Sequence, residues 1–187
     1  MRVITGTARG RRLSAPEGLD TRPTSDKVKE GIFSSIQFDI QNAFVLDLFA
    51  GSGQMGIEAL SRGAEKAVFV DCSQKAVKCI CDNLRITNLS GQAEVISRDS
   101  FDFIRLSPLS FDIIFLDPPY RHGYITELLP IAADKLNENG IIVCEYEKDA
   151  GLPDAPEGLL LKKEYCYGKI CAAVFRKPAD DPSEEEL

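Results

Sequence analysis

The segment Asp117-Pro118-Pro119-Tyr120 combines residue types that a plain turn does not need. Pro118 drives Asp117 into an extended conformation, and neither proline carries an N–H. The segment therefore presents rigid acceptors, the Asp117 carboxylate and the Pro118 carbonyl, with Pro119 fixing the path beyond them. An exocyclic amine on a nucleic-acid base is a weak nucleophile because its lone pair is delocalised into the ring. Two acceptors that hold its two hydrogens return density to the nitrogen and aim it. Tyr120 supplies a face on which a base can stack, an interaction of roughly 1–3 kcal/mol. Alignment of such an amine with an activated group accounts for up to about 7–11 kcal/mol of a barrier. The bland alternative is a rigid turn with a buried tyrosine. Position argues for chemistry, since the segment ends an apolar strand and lies downstream of a glycine loop.

That loop is Asp47-Leu48-Phe49-Ala50-Gly51-Ser52-Gly53-Gln54-Met55-Gly56. Gly51, Gly53 and Gly56 satisfy G-x-G-x-x-G, and Asp71 ends the next strand about 20 residues on, where an acid can accept from ribose hydroxyls. An adenosine-type cofactor is implied, and NAD fits the glycines and Asp71 as well as S-adenosylmethionine does. Asp47 leans toward the latter, because a carboxylate there receives a cationic amino-acid moiety and repels a pyrophosphate; capping of the loop amides is its other reading. Asp99, at the end of the third strand, either accepts from an adenine amine or caps the helical stretch 100–106. Phe49 and Ser100 complete this candidate cofactor set, with Arg22 and Thr24 placed against the cofactor's carboxylate. The acceptor segment separates the two cofactors, because a dehydrogenase has no use for it.

These residues need a scaffold that brings strand ends together. Apolar runs at 44–46, 67–70, 93–96, 111–116 and 140–144 alternate with helical patterns. The clearest of these is 73–88, where Val77, Ile80, Cys81 and Leu84 follow i, i+3, i+4, i+7. The alternation predicts an α/β fold, a mostly parallel sheet with helices on both faces and strands apolar throughout. In such sheets the ligand crevice lies outside the carboxyl ends of the strands, which puts both motifs at one edge. An earlier helix starts near Thr24 or Ser25, with Val28, Ile32 and Ile36 on one face. Residues 159–167 and 169–176, around Gly168, predict an antiparallel hairpin.

Organisation follows as a basic arm or hairpin (1–24, with a small strand at 3–5 followed by an exposed basic loop or hairpin), a catalytic domain (25–178) and an acidic tail (179–187) expected to be disordered. The net charge of -7 opposes a nucleic-acid partner until its distribution is considered. Residues 1–29 carry seven bases against three acids, whereas the tail holds five acids and no base. Arg2, Arg9, Arg11 and Arg12 are thus candidate phosphate contacts. No run approaches the roughly 18–20 apolar residues of a membrane span, and no signal-peptide pattern opens the chain, so a cytoplasmic protein without a membrane partner is expected. Six cysteines without a C-x-x-C pair and a single histidine predict reduced, packing thiols and no metal. His122, on the loop after the acceptor segment, reads as a solvated residue, and Glu145 and Glu147 either line the crevice or face water.

Taken in order, Asp47 to Gly53, Asp71, Asp99 and Asp117 to Tyr120 resemble the motifs of class I amino-methyltransferases. The N-terminal Gly6-Thr7-Ala8-Arg9-Gly10-Arg11-Arg12-Leu13 and the stretch Arg22-Pro23-Thr24-Ser25-Asp26-Lys27-Val28-Lys29-Glu30 resemble more narrowly the bacterial RsmD family, guanine-N2 methyltransferases of small-subunit (16S) ribosomal RNA. The likeness covers about residues 1–177. It implies a Rossmann-like seven-stranded sheet, S-adenosylmethionine as cofactor and ribosomal RNA or the small-subunit particle as partner, with a monomer expected. Gly31 stands where a larger helix former is expected, and the acidic tail lies outside the pattern. Three rivals are an adenine-N6 methyltransferase, a methylase of protein glutamine and a non-enzymatic nucleotide-binding module.

Overall fold

A computed structural model describes residues 1–16, 26–119 and 123–179. The expected alternation is present: α1 (Asp26–Ser35), β1 (Phe44–Leu48), α2 (Gln54–Ser61), β2 (Lys66–Asp71), α3 (Gln74–Thr87), β3 (Ala93–Ser97), α4 (Ser100–Leu106), β4 (Phe111–Leu116), α5 (Tyr124–Ala133), β5 (Leu136–Glu147), β6 (Leu160–Tyr167) and β7 (Ile170–Arg176). One seven-stranded sheet runs in the order β3-β2-β1-β4-β5-β7-β6. The first five strands are parallel, and β7 joins β5 antiparallel as the inner arm of the terminal hairpin.

Side-chain alternation along the central strands feeds two cores. Val45, Phe69, Ile113, Phe115 and Val143 pack on one face with Ile32 and Phe33 of α1, Ile57 of α2 and Ile80 and Leu84 of α3. Leu46, Leu48, Val70, Ile114, Leu116 and Cys144 pack on the other with Phe103 of α4 and Leu128 and Leu129 of α5. Because both faces are covered, β1 and β4 are almost wholly buried, as their unbroken apolar runs require. The outer strands depart from that expectation. At the sheet margins β3 is only half-buried and β6 is mostly exposed.

Helix ends follow local chemistry. The Ser73 side chain accepts from the Ala76 N–H to start α3, and Asn88, in the left-handed region at φ 61°, ends it. Gly31 is explained by packing, since a Cβ there would lie 3.0 Å from the Tyr167 hydroxyl where α1 crosses β6.

The arm is not a strand. Residues 3–5 make no ladder, and one antiparallel bridge, Arg2 to Arg12, closes a turn instead. Bonds within the turn satisfy part of the arm's backbone, and side chains of α2 satisfy further groups. Glu58 accepts from the Ile4 and Thr5 N–H groups, while Ser61 accepts from the Ala8 N–H and donates to the Thr5 carbonyl. Under this arm Lys29 and Glu58 form a fully buried ion pair at 3.5 Å, and Lys29 also donates to the Arg2 carbonyl at 2.6 Å. Asn83 of α3 ties the arm to the glycine loop, accepting from Ser14 N–H and donating to the Ser14 and Ser52 carbonyls.

The thiol expectation fails at one pair. Cys166 and Cys171 face one another across the β6–β7 register, with Cα atoms 4.1 Å apart, and form a disulfide. Spacing alone does not reveal this, because it depends on hairpin register. The other four cysteines are free thiols, two of them buried.

Candidate active site

At the carboxyl ends of the central strands, β1 places Asp47, β2 places Asp71 and β4 delivers Asp117, with the glycine loop among them. Asp47 is only 4% exposed and accepts the Gly56 N–H at 2.9 Å, so the capping reading is realised by one of its oxygens. Gly56 has to be glycine, because a Cβ would stand 2.4 Å from the buried Phe69 ring. Gly51 and Gly53 adopt φ of 55° and 74°, the left-handed conformation that lets the loop turn into α2. Phe49 shares that region at φ 63° without being a glycine, a strained choice of the kind that concentrates at functional sites.

Asp71 holds the loop in place. One of its oxygens accepts from the Gly51 N–H at 2.9 Å and the other from the Ser73 N–H at 2.8 Å. An ionised carboxylate has about four acceptor positions, so two hydroxyls of a ribose can still be received. Asp99 is the N-cap of α4, where its Oδ1 accepts from Phe101 and Asp102. Ser100, beside it, is buried.

Among the described residues, acids set the electrostatics at the carboxyl ends of these strands. Burial pushes the Asp47 carboxyl up to about 8 against the donated Gly56 N–H, and the charges of Asp117 and Asp71 push the same way. Burial likewise raises Asp117 to about 7. Such acids persist where a cation is to be received or a proton handled.

One feature was not read from the sequence, and a second was read only through Glu145 and Glu147, which line a crevice as one of their two readings has it. Phe49, Phe101 and Tyr124 form an aromatic cluster, Phe49 and Tyr124 being stacked with ring centres 6.3 Å apart and Phe101 edge-on to both. Only Phe49 was expected, because Phe101 and Tyr124 sit in helix first turns where an aromatic reads as core. A cleft beside Pro118 and Pro119 is lined by Tyr124, Glu145, Tyr146 and Glu147. A roomier cleft of about 650 Å³ between Thr5, Gln41 and Arg62 lies toward the opposite ends of the strands, away from these acids.

Of the expected site residues, Asp47, Phe49, Gly51, Gly53, Asp71, Asp117, Pro118 and Pro119 come together at one edge of the sheet. Asp99 and Ser100 flank them at the start of α4. Tyr120, Arg22, Thr24 and His122 lie outside the described residues. Arg2, Arg9, Arg11 and Arg12 are all exposed, and Arg2 pairs with Asp26 at 3.2 Å.

Relatives extend over nearly the whole chain. The profile of the family described as conserved hypothetical protein 95 matches residues 1–176. A Bacillus subtilis protein, provisionally described as the rRNA methyltransferase YlbH, is 40% identical over 182 residues, 95% of this chain and 99% of that protein. Ribosomal RNA small subunit methyltransferase D of Escherichia coli (strain K12) is 32% identical over 188 residues, covering 100% of this chain and 94% of the relative. A solved Escherichia coli structure, provisionally described as methyltransferase yhhF, superposes with a TM-score of 0.86 at 34% identity over 96% of this chain and 99% of that one. The chain belongs to the conserved hypothetical protein 95 family, the RsmD family that its motifs resemble.

Proposed function

We propose that this protein transfers a methyl group from S-adenosylmethionine to the exocyclic N2 of a guanine in 16S ribosomal RNA. The observation that carries this reading is the acceptor-only end of β4, the half-buried Asp117 followed by the buried Pro118, set beside the cation-seeking Asp47.

The donor set fits the cofactor. Among the described residues no base offsets the burial and the acids that raise Asp47, and the cofactor carries an ammonium and a sulfonium. Asp71 accepts from its ribose, the Phe49 cluster gives apolar surface to the adenine, and Asp99 with Ser100 borders it. Arg22 and Thr24 complete the set toward its carboxylate. When bound, S-adenosylmethionine supplies a methyl group made electrophilic by positive sulfur.

The chain's own part is to hold the amine. Asp117 and Pro118 accept its two hydrogens and turn its lone pair toward the cofactor, Pro119 keeps the segment rigid, and Tyr120 stacks the base. The proton lost from nitrogen has an acceptor in Asp117, which burial holds near neutral pH. Support for a ribosomal substrate comes from the names of the relatives and from the exposed arginines of the arm, which suit phosphates.

Nucleoside mass spectrometry of ribosomal RNA from cells lacking the gene tests the substrate. Loss of one N2-methylguanosine, restored by the purified protein and cofactor, is expected. Unchanged N2-methylguanosine overturns the RNA assignment.

A further inference from the structure

We propose that Glu145 selects guanine at this site by accepting the N1–H of the target base. The proposal rests on the reading of Asp117 and Pro118 as the holder of the amine.

Register places the two acids side by side. Leu116 of β4 pairs with Cys144 of β5 in parallel, so the next positions are Asp117 and Glu145, on strands about 4.8 Å apart. Leu116 and Cys144 both point into the α4–α5 core, and Phe115 and Val143 both point into the α1–α3 core. Alternation therefore turns Asp117 and Glu145 to the α1–α3 face, where the charge of Asp117 is felt by Asp47. Glu145 is 4% exposed and is one of the residues that line the cleft together with Pro118 and Pro119. A buried carboxylate near the end of β5, one strand away from the amine holder, is placed to meet the base itself.

The chemistry of the base selects among purines. The edge of guanine that carries N2 presents three hydrogens in a row, two on N2 and one on N1. Asp117, Pro118 and Glu145 offer an acceptor for each. Adenine and 2-aminopurine present a bare N1 acceptor there, which leaves a buried carboxylate facing a lone pair. Sites that bond a substrate N–H reject analogues without it strongly, and one such bond to a charged group corresponds to a preference of about 10- to 100-fold.

The test compares small-subunit particles carrying guanine or 2-aminopurine at the nucleotide that the wild-type protein methylates. 2-Aminopurine keeps the exocyclic amine and loses the N1–H. The wild type is expected to favour guanine at least about tenfold in kcat/KM. Glu145→Gln, which can also donate, is expected to shrink that preference several-fold, while Glu145→Asp retains it at a lower rate. Cofactor affinity by calorimetry should be unchanged in both variants. A merely structural glutamate would lower both substrates equally and leave the ratio alone. A wild type that methylates guanine without preferring it, or a Glu145→Gln protein with an unaltered ratio, overturns the role of Glu145 alone. A wild type that methylates neither particle overturns the parent reading as well.

Discussion

Replacing Glu58 with alanine removes the acceptor of four donors at once. Its carboxylate receives the Ile4 and Thr5 N–H groups at 2.8 and 3.0 Å and the Arg62 Nε at 2.8 Å, and it neutralises Lys29 at 3.5 Å. Glu58 and Lys29 are both fully buried, so the loss strands a cation rather than exposing it to water. Breaking a buried pair from one side costs about 3–5 kcal/mol, most of it the penalty of the charge left behind. Against a urea m-value of about 2 kcal/mol/M, that is a fall of about 1.5–2.5 M in the unfolding midpoint. Urea titration at neutral pH, followed by circular dichroism, reads the shift directly. The double variant Glu58→Leu, Lys29→Met should recover part of the loss, because it removes both charges and leaves the half-buried Ile4 N–H and the exposed Thr5 N–H to find water. A midpoint within about 0.5 M of the parent for Glu58→Ala, or a double variant no better than the single, would refute the reasoning.

Other outcomes follow from the acids and the glycines. Asp117→Ala should abolish methyl transfer while calorimetric cofactor affinity largely survives; near-normal turnover would remove the carboxylate from the chemistry. Asp47 and Asp117, raised from 3.8 to about 8 and about 7, hold protons in the folded state that the unfolded chain has released. This contribution to stability is complete below the unfolded value and is lost as pH rises through the folded ones. The free protein's melting temperature should therefore decline from about pH 5 to 9, and less so in Asp47→Asn. Binding a cationic cofactor should draw those protons off, so calorimetry at neutral pH in buffers of different ionisation enthalpy should show net proton release, and none would contradict the assignment. Gly56→Ala, with its Cβ 2.4 Å from the Phe69 ring and 3.2 Å from Asp47, should cost about 1–3 kcal/mol in denaturant titration and weaken cofactor binding.

How much of this was legible in the sequence varied with the physics involved. β4 was read to the residue, because a strand buried on both faces is an unbroken apolar run and Asp117-Pro118 ends it sharply. The extent of α3 was read to within one residue at each end, Ser73 and Asn88 being capping types at its boundaries. The arm was misread at residues 3–5, since nothing in Val3-Ile4-Thr5 says that the Ile4 and Thr5 amides go to a glutamate more than fifty residues away. Glu58 and Lys29 stayed invisible for the same reason. A charged residue in a helix reads as a solvent-facing one until the partner is known. Asp99 was legible as the cap of α4, one of its two readings, whereas the Gly51 N–H that Asp71 holds is a matter of loop geometry. Glu145 was left between crevice and water because its surroundings depend on strand register.

The margin formed by β6 has a consequence for how the chain behaves before it is fully folded. Among the described residues no strand adds to its outer edge, and Leu160, Leu161 and Tyr167 are exposed along it. Between them lie Lys162, Lys163 and Glu164, with the Lys163 ammonium 4.9 Å from the centre of the Tyr165 ring. Charges at the middle of an edge strand discourage a second chain from adding to the sheet. Neutralising both lysines would leave catalysis untouched and turn this margin into a template for aggregation. Solubility during synthesis therefore rests on a few side chains far from the reaction, at the opposite side of β5 from Asp117.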